Sequence, residues 1–145
     1  MYVLNKPFIN KLESKYVNAA IKSGWLSVNG HYNKILEKKF SKFVNTRFGI
    51  SVQSGTAALH LALKAIGIKD KDEVIVPDIT FGATAMAVKL ANAKLVIADV
   101  NQKNLSFDFR DLKKRISNKT KAIIPVHISG RGSDLNELKK IIKKR

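Results

Sequence analysis

The sequence has no cysteine, a single tryptophan and only three prolines in 145 residues. Without cysteine there are no disulfides, no thiolate metal ligands and no thiol nucleophile. No apolar run approaches the roughly 20 residues that a membrane-spanning helix needs. The opening Met1-Tyr2-Val3-Leu4-Asn5-Lys6-Pro7 lacks the apolar stretch of a secretion signal. The expected location is therefore cytoplasmic, with no membrane partner. Acidic residues are also scarce, 11 against 27 basic, for a net charge of +16. Hydrophobic residues still make up 45% of the chain and charged ones 26%, which excludes a disordered polyelectrolyte and leaves room for a packed core.

The positive charge invites a nucleic-acid partner, but its distribution argues otherwise. Residues 49–100 carry five basic and five acidic groups, so the excess sits in the two flanking stretches. Lysine outnumbers arginine 22 to 5, and arginine is the residue suited to bidentate recognition of phosphates and bases. The run Lys139-Lys140-Ile141-Ile142-Lys143-Lys144-Arg145 reads as the solvated face of an amphipathic helix.

Helical spacing links Ile9, Leu12, Tyr16 and Ala20, and Gly24 is placed to end that helix. A loop follows at Trp25-Leu26-Ser27-Val28-Asn29-Gly30, then a helix with Leu36, Phe40 and Phe43 on one side. From there strands and helices alternate. Strands are expected at residues 48–53, 73–77, 94–100 and 121–127. Helices are expected at 56–66, 80–91, 108–116 and from about 133, the last two facing inward with Phe109, Leu112 and Ile116 and with Leu135, Leu138 and Ile142. Three of the strands are continuous apolar runs, the pattern of a parallel sheet buried on both faces. The fold class is therefore α/β, a mostly parallel sheet flanked by helices. Ligands of such sheets bind beyond the carboxyl ends of the strands, so chemistry is sought in the loops at 53–56, 77–81, 99–108 and 127–133.

Three of those loops carry candidate residues. Gln53-Ser54-Gly55-Thr56-Ala57-Ala58-Leu59-His60 joins a strand to a helix; free amides at the helix start and a hydroxyl suit a phosphate, and the same residues also make a capped turn. The pattern is neither a Walker A loop nor a dinucleotide Gly-x-Gly-x-x-Gly. In Val76-Pro77-Asp78-Ile79-Thr80-Phe81 the aromatic can stack on a flat cofactor ring or pack under the next helix. In Pro125-Val126-His127-Ile128-Ser129-Gly130-Arg131-Gly132-Ser133-Asp134, His127 can act as acid, base, stacking group or structural residue. Arg131 is suited to a carboxylate or phosphate, and Asp134 to capping the last helix. Asp99 can reach a ribose or a metal but has no second carboxylate nearby in sequence, and no metal site is expected. Trp25 can line a pocket or anchor the chain.

Taken in order, these segments resemble the DegT/DnrJ/EryC1/StrS family of aminotransferases. The resemblance runs through Gly24-Trp25-Leu26-Ser27 with Gly30, then Ser54 to Leu63. It continues through Asp72-Glu73-Val74-Ile75-Val76-Pro77, Thr80-Phe81 with Ala83-Thr84-Ala85, and Thr120 to His127. It implies a large domain of the fold-type-I, pyridoxal-phosphate-dependent kind, and the transfer of an amino group to a nucleotide-linked keto-sugar in polysaccharide or antibiotic-sugar synthesis. By matching position it implies that Ser54, Gly55, Thr56, Phe81 and His127 bind pyridoxal 5'-phosphate (PLP), and that Trp25, Ser27 and Asn29 lie near the substrate. A donor such as glutamate and a homodimer are implied for the full-length protein. Residues 1–47 would form an N-terminal helical arm and 48–145 the first part of the cofactor domain.

The same resemblance places the lysine that bonds the cofactor, and the aspartate that pairs with its ring nitrogen, beyond Arg145. This stretch is therefore expected to be the front of a longer protein, inactive and marginally stable alone. Small departures from the family pattern are Lys71 and Asn92, both where glycine is usual. Two other readings remain: a PLP-dependent sugar dehydratase of the same family, or a non-catalytic basic chain that binds nucleic acid.

Overall fold

The computed structural model describes residues 6–25, 27 and 30–143. The chain divides into two compact units, Met1–Ser51 and Val52–Arg145. The first holds helices α1 (Lys11–Lys22) and α2 (His31–Phe43). A capping box starts α1: Asn10 Oδ1 accepts from the Leu12 amide at 2.7 Å, and Glu13 Oε2 accepts from the Asn10 amide at 2.8 Å. Gly24, at φ +72°, ends it as expected, since a side chain is strained in that conformation. No residue of α1 or α2 is buried, and Leu12, Tyr16, Leu36, Phe40 and Phe43 are all more than half exposed or close to it.

The second unit runs α3 (Gly55–Ala65), β1 (Glu73–Pro77), α4 (Ala83–Leu90), β2 (Lys94–Ala98), α5 (Phe109–Arg115), β3 (Thr120–Ile123), a 3₁₀ turn (Ile128–Gly130) and α6 (Leu135–Lys143). The three strands are parallel, in the order β2-β1-β3. The strand expected at residues 48–53 does not form. A strand is defined by its ladder, and this segment has no ladder partner among the described residues; Phe48 and Ile50 stand exposed. The third expected strand ends early, at Ala98, and Val100 instead makes a single antiparallel bridge to Phe107. The fourth starts at Thr120 and leaves the ladder soon after Ile123.

The central strand β1 is buried along its whole length, which accounts for its unbroken apolar run. Val74 and Val76 face a cluster with Leu63 of α3 and Ala87 and Val88 of α4. Ile75 faces the opposite cluster, with Ala98, Phe107, Leu112 of α5, and Leu138 and Ile141 of α6. The inward face of α6 is thus Leu138 and Ile141. The expected Leu135 and Ile142 stay 42% and 52% exposed. Two adjacent isoleucines satisfy a helical period equally well, and the packing of α6 on α5, with Lys113 Nζ 3.6 Å from Glu137 Oε1, selects the first.

Helices α3 and α4 end in the same way. Gly67 and Asn92 adopt φ +82° and +60°, and the next residue's amide bonds five residues back in each case. Asn92 therefore makes the turn at a position where the resemblance leads to an expectation of glycine.

Candidate functional site

The topology decides where a ligand can enter. The helix after β1, α4, covers one face of the sheet, while the helix after β3, α6, covers the other. Because β1 and β3 are neighbours, the connections leaving their carboxyl ends part to opposite sides, the arrangement at which parallel sheets accept ligands. The loop with Phe81 leaves one strand and the loop with His127 leaves the other. Helix α3 leads through the Gly67 turn into the start of β1, so it runs against the strand direction. Its 11 residues and the five of β1 are of similar length, about 17 Å each. The N-terminus of α3 is thus brought to the same carboxyl edge.

At that N-terminus Ser54 is the cap, its Oγ accepting from the Ala57 amide at 3.2 Å. The Ala58 amide bonds the Ser54 carbonyl. The amides of Gly55 and Thr56 have no protein acceptor among the described residues, as befits the first turn of a helix. A Cβ built on Gly55 would meet nothing within 4 Å, so no protein packing requires glycine there. The capped turn is present, with Ser54 holding it, and it leaves the Gly55 and Thr56 amides free among the described residues, so the cap does not exclude a phosphate.

In the next loop Phe81 does not pack beneath α4. Its ring is 82% exposed, while Thr80 Oγ1 and Thr84 Oγ1 share a hydrogen bond of 2.8 Å that stiffens the entry to the helix. An aromatic held open on a rigid turn offers a free face to a planar ligand.

His127 lies four residues beyond β3 and is exposed. Its Nδ1 accepts from the Ser133 amide at 2.9 Å, and the Ser133 hydroxyl donates to the Val126 carbonyl at 3.1 Å. Arg131, expected to suit a carboxylate or phosphate, donates from Nη1 to the Lys103 carbonyl at 3.3 Å and so ties this loop to the one at 99–108. Asp134 caps α6 as expected, accepting from the Asn136 and Glu137 amides.

Asp99 turns toward its own chain, with Oδ1 accepting from the Val100 amide at 2.7 Å. Its amide donates to Asp111 Oδ2 at 2.8 Å. That bond, with help from the Arg115 guanidinium, holds the Asp111 carboxyl below the ordinary aspartate range. Among the described residues no three His, Asp or Glu side chains are grouped to hold a metal ion. Likewise no helix among them is long and apolar enough to cross a membrane.

In the first unit Trp25 and Ser27 line a hollow with Ser23, Gly30, His31 and Tyr32. Trp25 lies so close to Gly30 that a Cβ there would sit 3.0 Å from Trp25 Cδ1. Asn29, the third expected substrate residue, lies outside the described residues. His31 and Tyr32 were not singled out from the sequence. Their position just after the Gly30 that opens α2 was the available signal.

Comparison with known proteins gives a consistent result. The model of the DegT/DnrJ/EryC1/StrS aminotransferase family matches residues 7–145. A GDP-perosamine synthase of Escherichia coli O157:H7 is 36% identical over 97% of this chain, which spans 38% of that relative's length. Among solved structures, the PLP form of the putative sugar aminotransferase Spr1654 from Streptococcus pneumoniae superposes with a TM-score of 0.90 at 33% identity, covering 95% of this chain and 35% of the other. An E. coli GDP-4-keto-6-deoxy-D-mannose-3-dehydratase with bound hydrated PLP superposes with a TM-score of 0.89 at 27% identity, covering all of this chain and 39% of that one.

Proposed function

The chain belongs to the DegT/DnrJ/EryC1/StrS aminotransferase family, and from that premise we propose that it forms part of an enzyme that transfers an amino group to a nucleotide-linked keto-sugar with PLP as cofactor. The observation that carries this reading is the parting of the two connections at the carboxyl edge of β1 and β3, with Phe81 exposed in one of those loops, His127 in the other, and the start of α3 open.

The residues present fit the cofactor's two ends. Two unbonded amides, a threonine hydroxyl and a glycine without packing neighbours suit a phosphate ester. In this reading Gly55 and Thr56 hold the phosphate, Ser54 keeps the turn in shape, and Phe81 supplies a face for the pyridine ring. His127 contributes a polar contact from the opposite strand. Once bound, PLP would supply the electron sink that amino transfer requires. The protein's part is to orient it and keep it from turning. Trp25, Ser27 and Asn29 serve the sugar-nucleotide, with residues 1–47 as the arm that carries them and 48–145 as the first part of the cofactor domain.

The amino donor is glutamate or a similar amino acid, and the full-length protein works as a cytoplasmic homodimer. A second reading, a PLP-dependent sugar dehydratase, draws on the similarity to the E. coli dehydratase. The test is to incubate the full-length protein with PLP, glutamate and a nucleotide-linked 4-keto-6-deoxy sugar, and to read the products by mass spectrometry. An amino sugar supports the proposal. A deoxygenated keto-sugar supports the second reading, and failure to take up PLP overturns both.

A further inference from the structure

We infer that Ser133 is a positioning residue that holds His127 as the neutral tautomer protonated on Nε2, so that His127 serves the site as a hydrogen-bond donor to an oxygen acceptor and not as a base. The inference rests on the reading above for what His127 faces. The tautomer itself follows from local geometry.

A neutral imidazole has one N–H and one bare nitrogen. The Ser133 amide donates to Nδ1 at 2.9 Å, which makes Nδ1 the bare nitrogen and leaves the proton on Nε2. A base needs an accessible lone pair. Here the lone pair is already engaged by a backbone donor, while the exposed nitrogen carries a hydrogen. Nε2 can donate a hydrogen bond but has no lone pair with which to take up a proton.

The contact is built by the loop. The partners are six positions apart, and the chain must reverse between them. It does so through the 3₁₀ turn, with Ser129 at φ +48°, ψ +41° and Gly130 at φ +75°. A left-handed serine is disfavoured and persists where its surroundings demand it. The Ser133 hydroxyl, donating to Val126 at 3.1 Å, closes the loop from the other side. Ser133 therefore grips the residues on both sides of the Val126–His127 peptide: the carbonyl of one and the ring of the other. The bond from Arg131 to the Lys103 carbonyl holds the outer part of the loop.

The test uses the full-length protein labelled with ¹⁵N at histidine and serine, with the His127 signals assigned by their loss in His127→Gln. The expected result is the Nε2–H pattern in long-range ¹H–¹⁵N spectra, together with a coupling across the hydrogen bond between the Ser133 amide nitrogen and His127 Nδ1. An Nδ1–H pattern, or no coupling, overturns the inference. Ser133→Pro removes the amide and should abolish the single-tautomer pattern; its persistence in a folded variant overturns the role given to Ser133. The wild-type coupling decides the point even where that variant does not fold.

Function separates donor from base. Glutamine carries its amide nitrogen at about the reach of Nε2, and asparagine at that of Nδ1. For a donor, His127→Gln keeps kcat/KM within about tenfold of wild type, the scale of one hydrogen bond, and His127→Asn falls further. A base loses roughly 10²- to 10⁴-fold in both, and that outcome overturns the donor role. If the wild-type protein shows the Nε2–H pattern but takes up no PLP, the reading of function fails and the tautomer assignment stands.

Discussion

Glu73 and Lys94 face each other across the first register pair of β1 and β2, with Lys94 Nζ 2.9 Å from Glu73 Oε1. The carboxylate is nearly buried while the ammonium is mostly exposed, so the pair is half solvated. Glu73 also accepts from the hydroxyls of Ser117 and Thr120, at the start of β3. One carboxylate thus gathers the amino ends of all three strands, although its partners lie 21, 44 and 47 positions along the chain.

An acid dependence follows. The Ser117 hydroxyl first, then Lys94, hold the Glu73 carboxyl below the ordinary glutamate range in the folded chain. A group depressed in this way stabilises the fold above its unfolded pKa, about 4.3, and that contribution is lost as pH falls through the folded value. Glu73→Gln should lower the Tm near pH 7 and converge with wild type below about pH 4. Melts from pH 3 to 7 that stay parallel for the two proteins would refute this.

Gly49 is required by packing. A Cβ there would lie 2.8 Å from the Glu37 carbonyl oxygen, which belongs to α2 and cannot swing aside. The same Glu37 accepts from the amide and hydroxyl of Ser51, both at 2.9 Å, so moving the segment also strains those bonds. Gly49→Ala should cost about 1–3 kcal/mol in chemical denaturation. Gly132→Ala, with nothing within 4 Å, should stay within about 0.5 kcal/mol.

Gly55 and Phe81 should behave in the opposite way, sparing the fold and weakening the ligand. Gly55→Ala enters open space at a helix start and should leave stability within about 1 kcal/mol of wild type, more often raised than lowered. Phe81→Ala removes an 82% exposed ring and should change stability by less than about 0.5 kcal/mol. In the full-length protein Phe81→Ala should weaken PLP by about two- to tenfold in an absorbance titration, the scale of a lost ring contact, and Gly55→Ala should weaken it by placing a methyl group where the phosphate approaches the backbone. A melting point lowered in step with affinity would point to a structural role instead.

Lys71 stands at φ +69°, a conformation strained for any residue with a side chain, at a position where the family pattern has glycine. Lys71→Gly exchanges that strain for a more flexible unfolded chain. The two are of similar size, so the variant should be neutral or more stable by up to about 1 kcal/mol. A loss of more than that in denaturant titrations would show that the lysine side chain holds the turn.

Much of the site was legible because its parts are local. Ser54-Gly55-Thr56 announces a helix start with spare donors, and the apolar run at 73–77 announces a buried parallel strand; the run at 94–98 also forms a parallel strand, but at the sheet's edge, with Ile97 46% exposed. The ends of α3, β1 and α5 fall within a residue of where spacing placed them. What escaped depended on partners far along the chain. Residues 48–53 have the composition of a strand, yet strand structure needs a ladder, and none is present beside them among the described residues. The contact of Ser133 with His127 needed the exact reversal of the intervening loop, which no local preference specifies.

The sequence alone therefore determined the α/β class, the order of the elements and the chemical identity of each strand-to-helix turn, because backbone preference and hydrophobic period act over a few residues. The tertiary structure decided the rest. It placed β3 beside β1 rather than β2, so that two neighbouring strands send their connections to opposite faces. It left Phe81 bare and turned Ile141 inward in place of Ile142. It also aimed one imidazole nitrogen at a backbone amide and left the other exposed. Burial and hydrogen-bond pairing are set by whichever groups the fold brings together, and that is information no short stretch of chain contains.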